Sequence, residues 1–255
     1  MKSQIQHPQY GIDAPDLVRF FFIAGAISLT VFFGVMVSSI FGRIPTIIIR
    51  LLLGIATIYL LGMGSLMIYY SKVTKLKDNE ELLNLFQWSG DEIVLDVGCG
   101  RGLALIGSAK RLTSGKAIGI DIWQQQDQAN NSARAALSNA AIEGVEERVE
   151  VQTADMRQLP FPNDYFDVVT SSWAIHNLEA ETDRKKTLDE IIRVLKPNGT
   201  ILIEDIINQV EYAKYFELRG MKNVQFHNNV IRDSVLKLVT FGSFAPSAIL
   251  VNNVV

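Results

Sequence analysis

The stretch Asp96-Val97-Gly98-Cys99-Gly100-Arg101-Gly102 carries the clearest chemical signal in this chain. It follows the apolar run Ile93-Val94-Leu95 and leads into Leu103-Ala104-Leu105-Ile106-Gly107. That order predicts a buried strand, a glycine-rich turn and a helix. Such a turn lets a ligand lie against backbone N–H groups at a helix N-terminus. Asp96, just ahead of the first glycine, would repel a phosphate, so the pattern suits a ligand with cationic character. Two further acids, Asp121 and Asp155, stand where later strands should end. A carboxylate at the end of the second strand is placed to meet ribose hydroxyls. A dinucleotide site has its third glycine three residues after the second. Here Gly102 is two after Gly100, and the corresponding position is Leu103. His176, in Trp173-Ala174-Ile175-His176-Asn177, is the best candidate for a general base, because imidazole titrates near neutrality. Packing or hydrogen bonding within its loop is the alternative reading. Glu204 and Asp205 are weaker base candidates.

These residues need a scaffold that brings strand ends together. Asp78-Asn79-Glu80-Glu81 reads as a capping box opening a short helix through Leu82, Leu83 and Phe86, closed by Ser89-Gly90. Strands are expected near Ile93, over 117–121, over 149–151 and over 166–170, and a fifth over 200–203 ending at Glu204-Asp205. A polar, alanine-rich helix is expected over 125–142. Leu188, Ile191, Ile192 and Leu195 fall at i, i+3, i+4 and i+7, the apolar stripe of another helix, and Pro197-Asn198-Gly199 stops it. Residues 211–221 read as helix and 248–251 as a last strand, and the segment between them gives no clear period. The alternation predicts an α/β fold, a Rossmann-like, doubly wound and mainly parallel sheet.

Five motifs in order resemble those of class I S-adenosylmethionine (SAM)-dependent methyltransferases. They are 94–102, Asp121, Ala154-Asp155-Met156 with Leu159-Pro160-Phe161, Tyr165-Phe166-Asp167, and Arg193-Val194-Leu195-Lys196-Pro197. The likeness covers about residues 80–206 and is nearest in character to the enzymes of ubiquinone and menaquinone biosynthesis. It implies SAM as cofactor, a ligand whose sulfonium and ammonium suit the acidic site. It also implies cofactor-binding roles for Asp96, Gly98, Cys99, Gly100, Gly102, Asp121, Ile122, Asp155, Met156 and Ser171. In that scheme Gly98, Gly100 and their neighbours line the methionine part. Asp121 takes the ribose hydroxyls, Asp155 and Met156 meet adenine, and the Ser171 backbone meets the ammonium end. Asn198 departs from the glycine usual in the family, at a turn where Asn tolerates the left-handed conformation.

The front of the chain is of another kind. Residues 20–42 and 51–71 carry no charge, and each run spans roughly 30 Å as a helix, enough to cross a bilayer core. With only Arg43-Ile44-Pro45-Thr46 as the break, they predict a transmembrane hairpin over 19–72. A cytoplasmic segment (1–18) precedes it and a catalytic domain (73–255) follows. Lys2, Arg19, Lys72, Lys75 and Lys77 lie on one side, against Arg43 and Arg50 on the other. That bias predicts a two-pass protein with both termini and the catalytic domain in the cytoplasm. Ala26, Thr30, Gly34, Ser38 and Gly42 form a small-residue stripe that either the second helix or another protomer, in a homo-oligomer, would cover. Tyr10-Gly11-Ile12-Asp13-Ala14-Pro15 either folds over the pocket or forms a tail. The net charge of −3 and the lack of a basic stripe argue against nucleic acid, and one cysteine with three scattered histidines argues against a metal. The expected partners are the lipid bilayer and a lipophilic small-molecule acceptor (quinone-like, isoprenoid or lipid). A soluble metabolite or protein acceptor, with the hairpin as an address, is one alternative. A non-catalytic SAM-binding scaffold is the other.

Overall fold

The computed structural model describes residues 7–37, 43–242 and 244–252. They fall into two compact units, one of residues 11–75 with 125–129, the other of the remaining chain.

The first unit is built on two helices, α1 (Pro15–Val37) and α2 (Arg43–Tyr69). Both are long and apolar enough to cross a membrane, and most of each surface is uncovered by protein. Pro45 sits in the first turn of α2, where its missing N–H has no helical partner to lose. The helices meet at small residues. A Cβ on Gly25 would lie 2.5 Å from Leu61, and one on Gly64 would lie 3.0 Å from Phe22. Between them Thr57 Oγ1 donates to Ser28 Oγ at 2.8 Å. Arg50 donates to the carbonyls of Val35 and Met36 in the last described turn of α1. The small-residue stripe is not what α2 covers. Ala26, Thr30 and Gly34 are exposed, because the contact runs along Gly25 and Ser28 instead; Ser38 and Gly42 lie outside the described residues. In the same unit Asp13 accepts from Lys75 at 2.7 Å, Ala14 N–H donates to Asp127 O, and Ala129 N–H donates to Ile12 O. Residues 12–14 are therefore paired backbone rather than a loose tail.

After α2 comes a π-turn (Tyr70–Thr74) and then, without interruption, α3 (Lys75–Leu83). The capping-box expectation is thus corrected: Asp78 lies inside a helix already begun. Its carboxylate instead takes Arg232 Nη1 at 2.7 Å, and burial pushes its carboxyl up against the pull of that guanidinium.

The second unit is the α/β domain. Its strands are β1 (Ile93–Val97), β2 (Lys116–Asp121), β3 (Val149–Thr153), β4 (Phe166–Ser172), β5 (Leu195–Asp205), β6 (Val224–His227) and β7 (Ser247–Asn252). The sheet order is β3-β2-β1-β4-β5-β7-β6, parallel except that β7 runs antiparallel to both β5 and β6. Crossovers run through α4 (Leu103–Arg111), α5 (Ala133–Ile142) and α6 (Glu181–Val194). α7 (Gln209–Leu218) and α8 (Val230–Val239) follow β5 and β6. One core face carries Leu82, Leu83, Leu105, Ile106 and Ala140, the other Leu188, Ile191, Tyr212 and Phe216, as a doubly wound sheet requires. The order reverses at β1 and β4, so a ligand crevice belongs at their carboxyl ends.

Two sequence expectations shift here. The helix read over 125–142 begins only at Ala133, because Ser132 caps it by accepting from Ala135 N–H at 3.2 Å. Leu195, read as the last member of a helical stripe, opens β5 instead, and Pro197-Asn198-Gly199 lies within that strand segment.

Candidate active site

The glycine turn forms where β1 leaves the sheet. Gly98, Gly100 and Gly102 all have positive φ, at 71°, 52° and 87°. Gly98 and Cys99 both donate their N–H to Ile120 O at 2.9 Å, and Gly102 N–H closes the turn on Cys99 O at 2.8 Å. Gly98 must be glycine for a second reason: a Cβ there would lie 2.3 Å from the Ala174 Cβ. Met156 is the next neighbour of that point, at 3.4 Å, so β1, β3 and β4 converge on it. The Cys99 side chain turns inward, buried over Gly119 and Leu105, and burial pushes its thiol up. Only its backbone is left to face a ligand. Asp96 is also buried, with Oδ1 accepting from Thr170 Oγ1 at 2.9 Å. That bond ties β1 to β4 beneath the turn.

Asp121 ends β2 as expected. Its Oδ2 accepts from Gly100 N–H at 2.8 Å, and its Oδ1 accepts from Trp123 N–H at 2.5 Å and Asn131 Nδ2 at 3.2 Å. A carboxylate offers about four acceptor positions, so Oδ2 keeps room for another donor. The carboxylate thus locks the glycine turn and stays half-exposed at the strand end. Asn131, whose role sequence reading missed, sits just before the Ser132 cap and fixes the Asp121 rotamer. Ile122 follows with its side chain 48% exposed, an apolar surface beside that carboxylate. Asp155 is turned toward Arg157, which donates to it through the backbone N–H and the guanidinium, and these bonds hold its carboxyl below the usual carboxylate range. Ser171 is buried, its hydroxyl donating to Val97 O at 2.9 Å.

His176 lies in a short 3-10 turn (Ile175–Asn177) after β4. Its Nδ1 is 2.5 Å from Asp205 Oδ1, and its backbone N–H donates to Oδ2 at 3.0 Å. Asp205 ends β5 and is fully buried. Ile206 N–H and Tyr212 Oη also donate to it, at 2.8 and 3.2 Å. Such a carboxylate orients the ring and fixes the Nδ1–H tautomer, leaving Nε2 as the basic nitrogen. Sequence reading ranked Asp205 as a base in its own right. Its burial makes it the group that positions His176. Trp173 stands at φ 55°, with the Phe244 ring edge-on at 5.5 Å.

The glycine turn, the half-exposed Asp121 and the exposed Ile122 fit SAM: backbone close approach for the amino-acid part, a carboxylate for ribose, an apolar face for adenine. Among the described residues no cluster of His, Cys, Asp and Glu could hold a metal ion.

Comparison with known proteins agrees. Residues 95–203 match the family described as "Methyltransferase domain". The chain is 36% identical over 114 residues to demethylmenaquinone methyltransferase of Symbiobacterium thermophilum, covering 44% of this chain and 41% of that protein. It is 37% identical over 112 residues to the ubiquinone/menaquinone biosynthesis C-methyltransferase UbiE of Vibrio vulnificus, covering 43% and 39%. The chain spans less than half the length of the curated relatives it matches. A SAM-dependent methyltransferase from Aquifex aeolicus has the same fold, with a TM-score of 0.53 at 22% identity over 71% of this chain and 92% of that one. Residues 95–203 are thus similar to a methyltransferase domain, and the α/β unit has the Rossmann-like fold. This agrees with the class I type and with SAM as the cofactor, which the resemblance of the motifs implies.

Proposed function

We propose that this chain is a membrane-anchored methyltransferase that methylates a lipophilic small molecule, quinone-like, isoprenoid or lipid, at the cytoplasmic face of a bilayer. The observation that carries it is the union in one chain of a region similar to a methyltransferase domain with two helices of bilayer length whose surfaces are largely uncovered by protein. In this reading α1 and α2 span the membrane, with the termini and the α/β domain on the cytoplasmic side. Gly98, Gly100 and Gly102 admit the amino-acid end of the cofactor to the backbone, with Cys99 contributing its peptide group and Asp96 bracing the turn. Asp121 takes the ribose hydroxyls, and Ile122 and Met156 pack on adenine. Asp155 meets the adenine edge while held by Arg157. The Ser171 peptide borders the ammonium end.

SAM, when bound, supplies a methyl group activated by its sulfonium. What the protein must do is align the acceptor, for which positioning supplies up to roughly 7–11 kcal/mol. His176 is placed to take the proton of an acceptor hydroxyl or carbon acid at Nε2. The buried Asp205 stabilises the resulting imidazolium. The His176–Asp205 pair favours such protic acceptors over tertiary amines or thioethers, which need no base.

The test is turnover of methyl-labelled SAM by the full chain in membranes. The expected result is label in an organic-extractable product. Label found only in water-soluble metabolites or protein would refute the lipophilic acceptor. Tight SAM binding by calorimetry without any product would make the domain a scaffold.

A further inference from the structure

Helix α8 is amphipathic in the reverse sense. Its inward face carries Asp233, Leu236 and Thr240, all buried. Ile231, Val235 and Leu238 stand at i, i+4 and i+7 on the opposite face and are 81%, 55% and 78% exposed. Phe241, just past the helix, is 85% exposed. A surface helix of a soluble domain turns such a stripe inward. Here ion pairs lock it outward: Arg232 Nη1 donates to Asp78 Oδ1 at 2.7 Å, and its Nε donates to Asp233 Oδ1 at 3.1 Å.

We propose that the Ile231/Val235/Leu238 face of α8, extended by Phe241, lies in the headgroup–acyl boundary of an anionic lipid bilayer. This rests on the membrane-anchored reading above. Two observations select lipid over a protein partner. The first is a tether. Asp78 follows the end of the uncharged run at Ser71 by seven residues. Even fully extended, that length holds Asp78, to which Arg232 of α8 is bonded, within about 25 Å of the bilayer edge. The second is charge. Between Gly220 and Gly242 the sole acid, Asp233, and Arg232 are taken up with each other and with Asp78, which leaves Lys222 and Lys237 as the charges this segment presents. An apolar stripe flanked by cations, on a chain of net charge −3, is the composition of an interfacial helix.

The position also serves the site. α8 leads through Phe241 and Gly242 to Phe244, whose ring meets Trp173, and Ala245 N–H donates to Ile206 O beside Asp205. A lipid-embedded α8 therefore ends at the wall next to His176, and a lipophilic acceptor can pass along it without crossing water.

The test uses the full chain reconstituted in phosphatidylcholine/phosphatidylglycerol vesicles, with an NBD fluorophore on single introduced thiols; the native Cys99 is buried. The variants are Ile231→Cys and Leu238→Cys on α8, Ile27→Cys on the exposed face of α1, and Glu147→Cys on the solvent side of the α/β domain. Spin-labelled acyl chains are expected to quench positions 231 and 238 roughly twofold or more, as they do position 27, and to leave 147 nearly unchanged. Omitting phosphatidylglycerol is expected to weaken quenching at 231 and 238 only. If 27 is quenched and 231 and 238 behave like 147, the proposal fails and the anchor stands. If 27 is not quenched, both fail. Shielding of 231 and 238 from aqueous iodide without lipid quenching, together with concentration-dependent energy transfer between chains, would mean a second copy covers the face and would overturn the proposal.

Discussion

His176 and Asp205 lie 29 positions apart and meet only because β4 and β5 are neighbours whose ends are in register. The position of the histidine, in the loop after β4, was legible in the sequence, since that loop follows a strand. The role of its partner was not, because burial decides whether a carboxylate acts as a base or orients one. His176→Gln should lower kcat toward a protic acceptor about 10²–10⁴-fold while leaving SAM affinity, read by calorimetry, nearly unchanged. Asp205→Asn should also lower kcat, because an amide that donates to Nδ1 selects the wrong tautomer. Activity of the parent should rise with pH through a single ionisation, and that limb should vanish in His176→Gln. A flat profile in the parent would remove the base from the mechanism. Asp155 teaches the same lesson. Its place at the strand end was readable, but its tie to Arg157 two residues on depends on a turn the sequence does not spell out.

Elements that carry a steric or backbone demand were the readable ones. The turn after β1 announced itself by three glycines, and each proves to need positive φ. Gly98→Ala should be severe, combining a Cβ clash at 2.3 Å with backbone strain of about 1–3 kcal/mol. The expected outcome is loss of SAM binding in calorimetry and a lowered Tm; wild-type affinity would show that the turn does not approach the ligand. Helix α6 carries a pH-dependent tie. Glu190 accepts from Arg193 Nε at 2.7 Å and from Leu159 N–H at 2.7 Å, and Arg193 donates onward to the carbonyls of Leu159 and Phe161. Arg193 beside it holds the Glu190 carboxyl below the usual range. A depressed folded value means stability that is present above the unfolded carboxylate pKa, about 4.3, and is lost as pH falls through the lower folded value. Tm should therefore fall less steeply below about pH 4 in Glu190→Gln than in the parent. Helix α8 and strand β6 escaped the sequence reading for opposite reasons: β6 is a short exposed edge, and the α8 stripe faces away from the core that periodicity is used to find.

For the molecule as a whole, strand count and direction were largely visible because buried parallel strands are continuous apolar runs. What was hidden is how the residues ahead of the helices are held. Asn139, buried in α5, accepts from Gln9 N–H at 2.9 Å and donates to Gln9 O and Arg101 O, and Arg101 also donates to Gln9 O. Tyr10 Oη donates to Glu143 at 3.2 Å, and burial pushes that phenol up. Gln9 and Tyr10 are thus fastened to α5 and to Arg101 of the glycine turn. Asn139→Ala leaves buried polar groups unmatched at about 1–3 kcal/mol. It should lower Tm and speed proteolysis near residues 7–10, with a raised KM for SAM; unchanged cleavage would mean the strap is not held there. Deleting everything before residue 72 removes Gln9 and Tyr10 as well, so it tests more than an address.

The lone sulfur beneath that turn makes the protein its own stopwatch. Cys99 is the only thiol in the chain and is buried against Gly119 and Leu105. A thiol-specific reagent can reach it only when the segment between β1 and α4 lifts away. The labelling half-life thus counts those excursions without any engineered probe, and SAM should lengthen it by a factor of one plus the ratio of its free concentration to Kd.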